Sequence, residues 1–266
     1  MKTAKSRRQQ MLATDSQKKI TTLEEQDLVI DAFTELAPRY EKVVDNELTR
    51  FWGWSYAGFV DRLIESTPIV DGDTILDLAT GTSVIPRRLV EVVKKEFQVV
   101  GLDITLRMLK RGKEKIDQEK ENINIHLACG DAMVMPFSND SFSVVMCGLA
   151  THHMNVPLML SEIRRVLKNG GALTISDVGG SLYWQLPGVR TLIKIATFFY
   201  FLVTENTFRA WTETLALPNV YTAEEWQLLL RESGFTSIQV TELPKSHTWI
   251  PSPLLITAKL TTIRKG

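Results

Sequence analysis

Three carboxylates sit where apolar runs of this chain end. Asp77 lies inside Ile75-Leu76-Asp77-Leu78, Asp103 closes Val99-Val100-Gly101-Leu102-Asp103, and Asp131 follows Ala128-Cys129-Gly130. A carboxylate embedded in an apolar run needs partners, and for Asp77 the candidates are backbone N–H groups of the following loop or polar groups of a ligand. An acid at the end of the second strand of an open sheet is placed to accept from ribose hydroxyls. Asp131, beside Ala132, can accept from an exocyclic amine while a backbone N–H meets a ring nitrogen. The three together read as a rim for an adenosine-like ligand. A second group, His152, His153 and Asp177, follows two further apolar runs, Phe142–Leu149 and Gly171–Val178, and belongs to the same rim. Histidine and carboxylate at such a place can take a proton from a reacting molecule. His126, inside a strand-like run, reads as a packed histidine, and His247 has no visible partner.

The elements that carry these residues alternate. The stretch Asp73–Ser83 is a buried strand that breaks into Ala79, Gly81 and Ser83, small residues wanted where the backbone turns tightly against a ligand. Ser83 to Phe97 has helical apolar spacing, with Pro86 in the first turn. Strand Phe97–Ile104, helix Thr105–Gln118, strand Ile123–Gly130, strand Phe142–Leu149, helix Pro157–Leu167 and strand Gly171–Val178 follow, with Lys168-Asn-Gly-Gly171 placed as a helix stop. Alternation of this kind implies a parallel sheet with helices on both faces. It breaks at residues 180–220, an insert holding the apolar run Leu192–Val203, too short and interrupted to span a bilayer. Thr222-Ala-Glu-Glu225 is a capping-box signature, and Thr236–Leu243 and Pro253–Leu260 form a final antiparallel pair. Ahead of the first strand, residues 22–70 carry three helical apolar faces, read as a cap. Met1 to about residue 21 is basic with no long apolar core, which fits a frayed tail rather than a secretory signal.

With 44% hydrophobic and 23% charged residues, the chain has the composition of an ordinary globular protein. Lysine plus arginine equals aspartate plus glutamate, 31 each, so no global field draws it to nucleic acid. Cys129 and Cys147 both fall in apolar runs and read as buried reduced thiols, which suits the cytoplasm; no cysteine spacing supplies a zinc site, and no metal is expected.

These motifs resemble the class I S-adenosylmethionine-dependent methyltransferases, of the broad type 11 group that includes the quinone-methylating enzymes. Ile-Leu-Asp-Leu-Ala-Thr-Gly-Thr-Ser83 resembles that family's Asp-x-Gly-x-Gly-x-Gly loop, with Ala79 and Ser83 in place of the outer glycines. Gly-Leu-Asp103 with Arg107-Met-Leu109, Gly130-Asp-Ala132 with Pro136-Phe137, and Glu162–Gly171 match further family motifs. A nicotinamide-binding sheet is the nearest rival. Against it stand the Ala79-x-Gly81-x-Ser83 spacing and the acid after the third strand. The resemblance implies an α/β, Rossmann-like, seven-stranded, mainly parallel sheet whose last strand runs antiparallel. It implies S-adenosylmethionine as cofactor, with Asp77, Ala79, Thr80, Gly81 and Ser83 seating its methionine end and Asp103 its ribose. Asp131 and Ala132 would meet its adenine, with Ile104, Met108 and Leu149 among the other contacts.

His152, His153 and Asp177 are then the candidates for acting on the acceptor. The cap and the insert, which form the acceptor pocket in that family, are aromatic here, and Tyr40, Trp52, Trp184 and Tyr200 are the candidate substrate contacts. Apolar linings suit lipophilic small molecules. The expected activity is methyl transfer to carbon or oxygen of a hydrophobic small molecule, a secondary metabolite or a quinone. The alternative is a protein that binds the cofactor yet catalyses another reaction, such as a cyclisation. The expected partners are the small-molecule substrate and, at most, a second copy of the chain, with no nucleic acid and no stable insertion into a membrane.

Overall fold

The computed structural model describes residues 23–119 and 124–261. The basic tail and Ile123, the expected start of the third strand, lie outside the described residues. Three helices come first, α1 (Leu23–Leu36), α2 (Tyr40–Trp52) and α3 (Tyr56–Glu65). Then follow β1 (Asp73–Leu78), α4 (Val84–Val92), β2 (Phe97–Asp103), α5 (Leu106–Gln118), β3 (Ile125–Cys129), β4 (Phe142–Gly148), α6 (Val156–Val166) and β5 (Leu167–Asp177). The insert forms α7 (Pro187–Thr204) and α8 (Thr207–Ala216), and the chain returns through α9 (Ala223–Glu232), β6 (Phe235–Glu242) and β7 (Leu254–Leu260). The Thr222–Glu225 capping box is present at the start of α9.

The sheet has seven strands in the order β3-β2-β1-β4-β5-β7-β6. β1 to β5 pair in parallel, while β7 lies antiparallel to both β5 and β6. The chain leaves β1 toward β2 on one side and returns to β4 on the other. That reversal opens a crevice at the carboxyl ends of these strands, the ordinary ligand position in such a sheet. Two apolar cores flank it. One packs α6 and α9 on the sheet through Val156, Ile163 and Trp226; the other packs α2, α3 and α4 through Leu48, Phe59 and Leu89.

Three local expectations are corrected. β5 begins at Leu167, before the glycines, and its register with β4 jumps from Phe142↔Leu167 to Val144↔Ala172. Lys168–Gly171 is therefore an irregularity within a strand rather than a helix stop. Helix α4 ends at Val92, with Val93 extended, instead of reaching Phe97. Cys129 and His126 are exposed, not buried. Both lie on β3, the edge strand of the sheet, which has a neighbour on one side alone. The His126 ring meets Asn124 at 3.1 Å.

Candidate active site

The loop after β1 alternates into the left-handed region: φ is 53° at Ala79, 56° at Gly81 and 61° at Ser83. A β-carbon is strained in that conformation, and this explains why the resembling family carries glycine at all three positions. Gly81 also needs the space, since a β-carbon there would sit 3.2 Å from Met108 Cε. Ser83 is fully buried, and its hydroxyl has no partner among the described residues. It packs against Gly112 of α5, where a β-carbon would fall 2.4 Å from Ser83 Oγ.

A cleft of about 740 Å³, open to solvent, lies over this loop. Ala79, Gly81, Asp103, Ile104, Met108, Asp131, Ala132, Leu149, Tyr40 and His153 all line it. Asp103 accepts Gly81 N–H at 2.9 Å through one oxygen and Thr105 N–H at 2.7 Å through the other. Burial raises its pKa, against those hydrogen bonds. Each oxygen keeps a lone pair able to accept a hydroxyl of a ribose diol. Asp131 accepts Met133 N–H at 2.8 Å and, from the cap, Gln26 Nε2–H at 2.8 Å. The turn that carries Asp131 is held by the Glu162–Arg165 pair on α6. Glu162 accepts Met135 N–H at 2.8 Å, and Arg165 donates to the carbonyls of Phe137 and Met135 at 2.6 and 3.0 Å.

Asp77, Thr80 and Ser83 lie beneath the loop instead of on the cleft wall. Both Asp77 oxygens are buried without a hydrogen-bond partner among the described residues. Burial, partly offset by the neighbouring Thr80 hydroxyl, pushes its pKa up to about 7. A ribose-competent acid and a close-approach glycine on the cleft wall together suit a cofactor that brings a diol, with Asp77 supporting the loop from beneath.

His153 lines the end of the cleft, while His152 and Asp177, also expected to act on the acceptor, are not on its wall. His152 stands beside His153, ring centroids 4.2 Å apart. Each has its own carboxylate. His152 Nδ1 meets Asp177 Oδ1 at 2.7 Å, and Asp177 also accepts Thr151 Oγ1–H, His152 N–H and Val178 N–H. His153 Nε2 lies 3.4 Å from Glu213 Oε1 on α8. Burial favours neutral His152, but the Asp177 charge outweighs it and raises the pKa. Asp177 is itself held low, since burial is outweighed by His152, Thr151 and Val178 N–H. For His153, burial and then the positive charge of His152 lower the pKa, against Glu213. Two adjacent imidazoles do not both ionise, so the geometry makes His152 the charged partner and His153 the neutral one. His153 Nε2 approaches Glu213 as an ion-pair contact without a hydrogen bond, and His153 Nδ1 is buried without a partner among the described residues.

Arg209 completes this end. Its guanidinium pairs with Glu213 at 3.1 Å and with Glu47 of α2 at 3.2 Å, and lies over the Phe33 ring at 5.2 Å. His152, His153 and Glu213 offer three possible metal-ligand atoms within 4.8 Å of one another, but Arg209 already neutralises the carboxylate. Of the expected substrate contacts, Tyr40 alone lines the cleft, and burial pushes its hydroxyl up to about 12. Trp52 donates to the Pro251 carbonyl at 2.8 Å and Tyr200 accepts from Arg50 at 3.1 Å, both as ties between elements. Trp184 lies in the turn Leu182–Gln185 before α7. Gln26, Phe33, Met133 and Met154 line the cleft, and Glu213 and Arg209 stand behind it. None of these six is a candidate from the sequence. A spacing of four between Arg209 and Glu213 does place them on one helix face, yet nothing in it points to His153.

The model of the ubiE/COQ5 methyltransferase family matches residues 20–186. A demethylmenaquinone methyltransferase of Lactobacillus johnsonii is 28% identical over 221 residues, which cover 81% of this chain and 87% of that one. Among solved structures, the 4+2 cyclase SpnF superposes with a TM-score of 0.63 at 16% identity, over 87% of this chain and 98% of its own. Geranyl diphosphate C-methyltransferase from Streptomyces coelicolor A3(2) gives 0.60 at 14% identity, over 83% of each chain. At such identities the two structures speak for the fold. The chain belongs to the ubiE/COQ5 methyltransferase family and is an S-adenosylmethionine-dependent methyltransferase.

Proposed function

We propose that this methyltransferase methylates a lipophilic, quinone-like ring at carbon or oxygen, using His153 as the proton acceptor. The observation that carries the reading is the pair of histidine–carboxylate couples at the end of the cofactor cleft, one charged and one neutral. The cofactor, when bound, supplies an electrophilic methyl group on a sulfonium. In this reading Asp103 holds the ribose, Asp131 the adenine amine, and the Asp77–Ser83 loop the methionine end. Much of the acceleration comes from positioning the acceptor against that methyl.

A hydroquinone becomes a far better carbon nucleophile once a phenolic proton leaves. His153, which lines the cleft, takes that proton, with Glu213 beside it and Asp177-bound His152 keeping the ring neutral beforehand. After transfer the cofactor would leave as its neutral thioether, the methylated ring carbon would lose the proton it carried and the phenolic oxygen would regain one, so that one proton leaves for each methyl gained. For an oxygen acceptor, the phenolic proton is the one released. The cap supplies apolar walls through Phe33 and Tyr40, and the segment after β4 adds Met154, while the lining expected from the insert is not found among the described residues. The demethylmenaquinone relative supports a quinone-like acceptor.

Incubation with methyl-labelled cofactor and a panel of reduced naphthoquinones and benzoquinones tests this. Label in the quinone fraction is expected, and falls in His153→Gln by about two orders of magnitude, the usual worth of a positioned base. Tight cofactor binding with no transfer to any quinol would overturn the reading.

A further inference from the structure

One face of α1 looks into the cleft. Gln26, Val29 and Phe33 recur at spacings of three and four, the helical period, and all three line it. Val29 and Phe33 are what an apolar stripe calls for, and Gln26 is its polar member. The Gln26 side chain reaches across to the strand rim and donates from Nε2 to Asp131 Oδ2 at 2.8 Å. A carboxylate only accepts, so Asp131 fixes which end of the amide faces it and leaves the carbonyl oxygen Oε1 turned away. Among the described residues Gln26 makes no other side-chain hydrogen bond. Two acceptors therefore stand together at this end of the cleft: Gln26 Oε1, and Asp131 Oδ2 with a lone pair to spare. We infer that Gln26 is the second half of the adenine amine site, where the amine gives one hydrogen to Asp131 and the other to the Gln26 carbonyl. The pair then selects an amino over a keto purine. The inference rests on the reading above that sets Asp131 against the adenine amine.

The exocyclic amine of adenine is a donor with two hydrogens, so two acceptors match it. A keto oxygen in the same place accepts only, and would face a carboxylate and an amide carbonyl with no hydrogen to offer either. Gln26 does not relieve that mismatch by turning its amide over, because Oε1 would then lie against Asp131 Oδ2. Buried polar groups left unpaired in this way reject an analogue far more strongly than an apolar wall does. Nor does Gln26 displace the amine. A carboxylate oxygen has two lone pairs, so Oδ2 serves Gln26 and the amine at once, while Oδ1 accepts Met133 N–H at 2.8 Å. The same bond ties the cap to the turn after β3, which makes recognition of the purine and closure of α1 over it a single contact.

Calorimetric titration of the full chain with S-adenosylhomocysteine and with S-inosylhomocysteine tests this. The ratio of the two dissociation constants is the readout, since a fraction of misfolded chain leaves it unchanged. Wild type is expected to prefer the adenosyl form by at least about a hundredfold. Gln26→Met keeps the length of the side chain and removes the acceptor. Its affinity for S-adenosylhomocysteine should fall about three- to tenfold, the worth of one neutral hydrogen bond, while S-inosylhomocysteine binds no more weakly than before. The preference then shrinks about tenfold. Asp131→Asn, which frees the Gln26 amide to turn over, should also reduce it. A Gln26→Met chain that keeps the wild-type preference, while Asp131→Asn loses it, would overturn the inference and leave the reading of Asp131 standing. Tighter binding of S-adenosylhomocysteine by Gln26→Met would overturn it as well, because the amide would then be competing for Asp131. An undiminished preference in Asp131→Asn, or a wild type that binds both ligands alike, would overturn the reading of Asp131 and the inference with it.

Discussion

Replacing Asp103 by alanine separates what this carboxylate does for the ligand from what it does for the fold. In the folded chain it accepts Gly81 N–H and Thr105 N–H, one on each oxygen. Losing it leaves two loop N–H groups without their acceptor, which costs roughly 1–3 kcal/mol where water can partly replace it. Burial raises the pKa of this carboxyl, so the fold disfavours its charged form, and alanine returns part of that cost at neutral pH. A melting temperature lower by only a few degrees is therefore expected. The ligand loses more. Two ribose hydroxyls donating to a carboxylate contribute roughly 1.5–3 kcal/mol each, so cofactor affinity should fall by about two to four orders of magnitude. Calorimetric titration with S-adenosylhomocysteine measures this directly, and thermal melting with and without ligand reports the fold separately. A folded Asp103→Ala chain that binds within about threefold of wild type would refute the ribose role.

Four further perturbations follow from the same geometry. Since burial and the charge of His152 lower the pKa of His153, the turnover number should be flat above about pH 6.5 and fall only on the acid side; a base limb above neutrality would contradict the assignment. Ser83→Gly removes a left-handed β-carbon and an unpartnered hydroxyl, and should raise stability by about 1 kcal/mol. Gly112→Ala should cost roughly 1–3 kcal/mol against Ser83 Oγ, and much of that should return in the double variant, as a double-mutant cycle by denaturant unfolding would read. Asp77 has its pKa raised to about 7, so its burial favours the protonated fold at low pH, and that stability is lost as pH rises from about 4 to 7. Asp77→Asn should flatten the slope over that window by a few kcal/mol; melting curves of the ligand-free chain that keep the wild-type slope would show that the carboxylate is not the cause.

The cofactor end of this site is legible in the sequence because its residues stand at strand ends, and strand ends are fixed by apolar runs. Asp103 and Asp131 each follow such a run, and a parallel sheet brings adjacent run ends to one rim. The loop after β1 is legible by its small residues, although only the dihedral angles reveal that Ala79 and Ser83 stand where glycine is preferred. The acceptor end is not legible in the same way. Glu213 is near His153 because α8 returns across the cap, a contact between residues far apart in the chain. Lys168–Gly171 misleads for a local reason, since glycines after a helix suit a stop as well as a strand irregularity. The Glu162–Arg165 motif is visible in the sequence, but its use as a brace for the Asp131 turn depends on where α6 packs.

The insert is fastened to the cap through polar groups, which leaves its apolar side free to face outward. Arg39 pairs with Glu205, Asn206 donates to Glu35 at 2.7 Å, and Arg209 pairs with Glu47. These ties fix α8 over the histidines, and Arg209 is common to both tasks because it also holds Glu213 against His153. Removing Glu47 leaves Arg209 still paired with Glu213, whereas removing Arg39 strands Glu205, whose side chain is 9% exposed, so the cost of Arg39→Ala should exceed that of Glu47→Ala. The same arrangement links position to chemistry. Displacing α8 would withdraw Glu213 from His153 and Arg209 from the Phe33 ring in one movement. Seating of the insert on the cap is thus what holds Glu213 beside His153.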